Sequence, residues 1–117
     1  MTDLSGKRIL VVEDEFLVAL EAASMLAEVG ATVVGPAYHP APALQFAKTE
    51  ALDAAVLDIN LGTGTSESIA DTLKSRGIPF IFATGYGQLA GVDPDAVVID
   101  KPYSQAQIVA ALRHVLA

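Results

Sequence analysis

Five short apolar runs punctuate the chain: Ile9 to Val12, Thr32 to Val34, Ala54 to Leu57, Phe80 to Ala83 and Ala96 to Ile99. Each is continuous, the pattern of a strand covered on both faces as in a parallel sheet. Between the runs, apolar residues return at helical spacing. From Phe16 to Val29, residues Val18, Ala22, Met25, Leu26 and Val29 fall on one face, and Gly30 suits the position just past the helix end. Pro42 to Thr49 predicts a weaker second helix, with Pro40 and Pro42 near its start, where a missing N–H is tolerated. Ser66 to Arg76 predicts a third, stopped by Gly77 and Pro79. Ser104 to Leu116 predicts the last. Its stripe is Ile108, Leu112 and Val115, and Ser104 with Gln107 matches a capping box, in which each side chain takes the other's free backbone N–H.

Strand and helix alternate, so the expected fold is α/β: a doubly wound, flavodoxin-like sheet of parallel strands in the order 2-1-3-4-5, with right-handed crossovers. In such sheets ligands bind beyond the carboxyl ends of the strands. The residues that follow each run are therefore the ones to inspect for function.

Size and composition narrow the field. The 117 residues fit one domain spanning 1–117, and the expectation is that no output domain accompanies it. Hydrophobic residues make up 52%, enough for a sizeable core. The formal net charge of −7 argues against nucleic acid as a partner, because phosphate backbones need Lys and Arg to displace counterions. There is no cysteine, so thiolate metal sites are excluded. The first residues are polar and acidic, and Ile9 to Val12 is too short to span a bilayer. The expectation is a soluble, cytoplasmic protein without a membrane partner.

Glu13, Asp14 and Glu15 follow the first run, Asp58 the third, Thr84 the fourth, and Asp100 with Lys101 the fifth. Carboxylates about 4 Å apart repel by roughly 4 kcal/mol at an effective dielectric near 20, so a proton or a cation must offset them. An oxygen-rich, sulfur-free cluster suits a hard divalent ion such as Mg²⁺. Glu13, Asp14 and Glu15 alone fit a solvated acidic loop equally well, and Glu15 reads as a first-turn residue favoured by the helix dipole. Thr84 is either a β-branched strand residue or a hydroxyl for a phosphoryl oxygen, with Gly85 keeping the approach open. Lys101 is either surface charge or the ammonium that neutralises Asp58, aimed by a turn that a cis Pro102 would fix. His39 reads as a loop residue, His114 as lying on the exposed side of the last helix, Asp100 as a polar strand end, and Tyr103 as packing at the base of the last helix or serving a partner interface.

These motifs together, Ile9 to Glu15, Leu57-Asp58-Ile59-Asn60-Leu61-Gly62, Ala83-Thr84-Gly85 and Asp100-Lys101-Pro102, make the chain resemble receiver domains of two-component response regulators over nearly its whole length. The resemblance implies that Asp58 is the phosphoacceptor. It implies that Asp14, Asp58 and the backbone carbonyl of Asn60 hold Mg²⁺ (or Mn²⁺), with Glu13 acting through water. Asn60, Thr84, Gly85 and Lys101 would face the phosphoryl group. The donor would be a histidine kinase or a histidine phosphotransfer protein. The chemistry would be in-line attack by a carboxylate, giving an acyl phosphate that signals through protein–protein binding or a phosphorelay rather than through turnover of a substrate.

Two departures from the family pattern stand out. The interval from Gly85 to Asp95 holds about one helical turn, so the helix between the fourth and fifth strands should be short or irregular, which puts the family's usual dimer in doubt. The usual aromatic switch position is Val98, while Tyr86 lies just past Thr84. Thr84 and Tyr86 are therefore the expected switch pair, in a Phe82-Ala83-Thr84-Gly85-Tyr86 loop like that of stand-alone receivers, the alternative being a tyrosine that only packs the loop. Among rival readings, an aspartyl phosphatase would need a second Asp where Asn60 stands, and a flavin carrier would need a phosphate-cradling loop where Glu13 to Glu15 repel anions. A phosphorylation-independent interaction module is the alternative that keeps the fold.

Overall fold

The computed structural model describes residues 4–59, 66–85 and 96–117. Chain order is β1 (Arg8–Val12), α1 (Phe16–Glu28), β2 (Thr32–Ala37), α2 (Pro40–Thr49), β3 (Ala54–Asp58), α3 (Ser66–Ser75), β4 (Phe80–Thr84), β5 (Val98–Asp100) and α4 (Gln105–Leu116). The strands form one sheet in the order β2-β1-β3-β4-β5, all pairs parallel, as the alternation predicts.

Each buried strand feeds two cores, because successive side chains point to opposite faces. Ile9, Val11, Val56, Ile81 and Ala83 pack with Leu26, Ile108 and Leu112 under α1 and α4. Leu10, Val12, Ala55, Leu57 and Phe82 pack with Ala43, Ile69 and Leu73 under α2 and α3. All five residues of β3 are buried, which is why its run shows no polar alternation. At α4, Ser104 Oγ accepts from the Gln107 N–H (3.1 Å) and the Gln107 side chain accepts from the Ser104 N–H (2.8 Å), completing the capping box.

Three elements differ from the sequence reading by two residues or more. β2 runs on through Gly35 and Pro36 to Ala37, past the end of its apolar run. Gly35 allows this: its φ is +94°, and a Cβ there would meet the Ala37 nitrogen at 2.7 Å. The ladder shifts register between Leu10 and Val12, a β-bulge, and the peptide bond before Pro36 is cis. α2 starts at Pro40 rather than Pro42, since prolines fit its first turn. β5 is only Val98–Asp100, although the Val97 carbonyl still accepts from the Phe82 N–H (2.9 Å). The expected short helix before β5 and the switch residue Tyr86 fall within 86–95, outside the described residues. Among the described residues, no helix is long and apolar enough to cross a membrane.

The register sets up the functional edge. Val12 pairs with Leu57, Leu57 with Phe82, and Asp58 with Ala83, while Thr84 pairs with Asp100. The next residue out from each pair, Glu13, Asp58 itself and Lys101, therefore gathers at one end of the sheet.

Candidate functional site

Asp58 closes β3 in the middle of the sheet and is 1% exposed. A carboxylate so placed needs compensation, because removing a charge from water is expensive. Lys101 supplies part of it. Its Nζ lies 3.4 Å from Asp58 Oδ1 and 2.9 Å from Glu13 Oε1. The lysine is delivered by the end of β5, where its N–H donates to the Thr84 carbonyl (2.8 Å) and its bond to Pro102 is cis. Burial alone would lower the Lys101 pKa. The hydrogen bond to Glu13 and the charges of Asp58, Glu13 and Glu15 outweigh it and hold the ammonium above its ordinary range.

Glu13 is as hidden as Asp58, at 3% exposed, and both its oxygens are engaged. One accepts from Lys101 and the other from the Glu15 N–H (3.1 Å). Asp14 is exposed, yet Glu13, Asp14 and Asp58 each offer an oxygen, and these atoms lie within 4.8 Å of one another. One buried ammonium cannot neutralise three carboxylates. Asp58 Oδ2 is buried and accepts no hydrogen bond from the described residues. An all-oxygen, anionic donor set of this kind fits a hard divalent cation, not a soft one.

Thr84 ends β4 fully buried at the same edge. A Cβ on Gly85 would lie 3.6 Å from Lys101 Cε, in ordinary contact, so the chain here runs beside the lysine stem. The fold thus brings Glu13, Asp14, Asp58, Thr84, Gly85 and Lys101 together. Asn60 and Tyr86 lie outside the described residues. Asp100, His39 and His114 are exposed and do not join the carboxylate group.

Glu15 departs from expectation. It is the N-cap residue of α1 but makes no capping hydrogen bond with its side chain. That side chain reaches Lys101 instead, with Oε1 3.5 Å from Nζ, because an ammonium is a stronger partner than a helix-end N–H. The sequence reading also undervalued two supporting residues. Tyr103 is buried beside the site, and burial together with the nearby Glu13 charge pushes its phenol up to about 12. Ser66, at the start of α3, donates to the Ile59 carbonyl (3.3 Å) and ties down the chain just after Asp58. Adjacency to Lys101 and Pro102 was a signal for Tyr103. For Ser66 only its helix-start position was visible.

Comparison with known proteins places this geometry. A family model described as the response regulator receiver domain matches residues 9–113. The chain is 32% identical over 114 residues to the phyllosphere-induced regulator PhyR of Methylorubrum extorquens, covering 92% of this chain and 43% of that protein. It spans about half the length of the curated relatives it matches. Among solved structures, that of SdrG from Sphingomonas melonis Fr1 is similar at 38% identity and a TM-score of 0.81, with all of both chains covered. A structure titled as the BeF3-activated conformation of SdrG from Pseudomonas melonis Fr1 is similar at 36% identity and a TM-score of 0.80, covering 97% of this chain and 98% of that one.

Proposed function

We propose, from the premise that this chain belongs to the response regulator receiver domain family, that it is a phosphorylation switch whose acceptor is Asp58. Receiver domains are signalling parts of two-component systems, and this one has the groups that the chemistry calls for. The observation that carries the reading is the convergence at one sheet edge: Glu13, Asp14 and Asp58 within 4.8 Å of one another, and Lys101 Nζ 3.4 Å from Asp58.

In the proposed reaction a phosphohistidine of a histidine kinase or phosphotransfer protein presents its phosphorus to Asp58. A carboxylate oxygen of Asp58 forms the new O–P bond as the P–N bond to the donor imidazole breaks. The electron pair of that bond stays on the imidazole nitrogen. Lys101 offsets the charge of the acceptor before transfer and of the phosphoryl oxygens after it. Thr84 supplies a hydroxyl at the same edge, and Gly85 leaves space for the phosphoryl group. Asp14 and Asp58 would hold a divalent cation with the Asn60 carbonyl, and Glu13 would act through water. When bound, Mg²⁺ supplies positive charge that draws acceptor and phosphoryl oxygens together. The acyl phosphate then stores free energy that biases conformation, with Thr84 and Tyr86 as the responding pair, and output is through protein binding or relay.

The test is incubation with acetyl phosphate and Mg²⁺, followed by intact-mass measurement beside Asp58→Asn. A gain of one phosphoryl group in the parent alone is expected. Equal labelling of the variant would overturn the assignment.

A further inference from the structure

Lys101 faces three carboxylates whose settings differ sharply. Glu13 Oε1 (2.9 Å) and Asp58 Oδ1 (3.4 Å) belong to side chains 3% and 1% exposed. Glu15 Oε1 (3.5 Å) belongs to one 61% exposed. Glu13 and Asp58 sit in the cluster that fits a cation, whereas Glu15 does not. An ammonium has three donors, so in this arrangement one of them points at a carboxylate with no part in binding the phosphoryl group. Glu15 and Lys101 also line a cleft of about 250 Å³ together with Glu21 and Met25. Glu15 therefore meets the ammonium from a solvent-exposed side chain, and Asp58 meets it from a buried one.

We propose that Glu15 is a positioning residue: its exposed carboxylate competes for the Lys101 ammonium and so weakens the grip of the site on a phosphoryl group. This inference rests on the reading of Asp58 as the phosphoacceptor. Because Glu15 is exposed, the competition is screened by salt, while the Lys101–Glu13 contact is screened much less. Ionic strength thereby sets how far the lysine is committed to the phosphorylated form.

The test uses beryllofluoride, a phosphoryl mimic, with Mg²⁺ and the full chain. Glu15→Gln should tighten beryllofluoride binding by roughly two- to fivefold, the range an exposed ion pair supports. Glu15→Asp keeps the charge but shortens the reach, so it should also tighten binding. Glu21→Gln removes the same charge from the same cleft without touching Lys101, and should leave binding as in the parent. The gap between Glu15→Gln and the parent should close in high salt. Separately, lysine side-chain ¹H–¹⁵N spectra without fluoride should show the Lys101 ammonium resonance moving in Glu15→Gln and staying put in Glu21→Gln. Equal tightening by Glu15→Gln and Glu21→Gln, with Glu15→Asp unchanged, would mean bulk charge alone and overturn the proposal. An unmoved Lys101 resonance in Glu15→Gln would do the same. If the parent binds beryllofluoride and no Glu15 variant differs, the inference fails alone. If the parent binds none, the phosphoacceptor reading fails first and takes the inference with it.

Discussion

The middle of the sheet and its charged lip are built from the same strands, and they change character within one residue. Val12 is followed by Glu13, and Leu57 by Asp58, all four buried. Below that line, stability comes from apolar volume packed on both faces. Above it, like charges are held together against their repulsion, balanced in part by Lys101. One region is arranged for the fold, the other against it for chemistry, as binding sites commonly are. Removing apolar volume below the line should therefore lower stability, whereas removing a carboxylate above it should raise it.

The largest effect should come from below the line. Ile81 is fully buried, and Ile81→Ala should destabilise by about 4 kcal/mol, read from urea unfolding midpoints. A loss under about 1 kcal/mol would mean that the two layers repack freely. Next is Lys101→Met, which leaves Glu13 and Asp58 buried without their ammonium. A loss on the order of 3 kcal/mol is expected, and added Mg²⁺ should restore part of it if the carboxylates take a cation. A smaller change of opposite sign should follow Asp58→Asn. Removing one repelling carboxylate while Lys101 keeps Glu13 should raise stability by up to about 1 kcal/mol while abolishing phosphoryl acceptance. If Asp58→Asn destabilised as much as Ile81→Ala, the contrast between the two regions would fail.

The smallest effect is silent at neutral pH. Tyr103 is raised from 10.0 to about 12 by burial and by Glu13, so the folded state holds that proton more tightly than the unfolded chain. Its contribution is complete below pH 10 and lost as pH rises toward 12, and Lys101, also raised, acts in the same sense above its ordinary 10.5. Unfolding midpoints measured between these pH values should fall less steeply for Tyr103→Phe than for the parent.

What could be read from the residues alone follows the same division. β1, β3 and β4 are unbroken apolar runs, and their strand assignment needs only local pattern. The Ser104–Gln107 box is likewise local, and so are Gly30 and Gly77 at helix ends. The gathering of Asp14, Asp58, Thr84 and Lys101 follows from the strand order, since each stands at the end of a parallel strand. The rest depends on reach across the sheet. That Glu15 extends to Lys101 instead of its helix end is decided by a side-chain path between elements far apart in sequence. The extension of β2 was hidden because Gly35 and Pro36 look like a stop. They act as one only where the backbone lacks the left-handed bend that Gly35 takes.

That bulge has a consequence for the outer rim of the sheet. β2 is an edge, and an uninterrupted edge invites another chain to add itself by hydrogen bonding. Pro36 offers no N–H, and the shifted register upsets the regular spacing that an incoming strand would need to match. Self-association into fibres is thereby discouraged along this border by backbone chemistry alone, with no charged guard residue required.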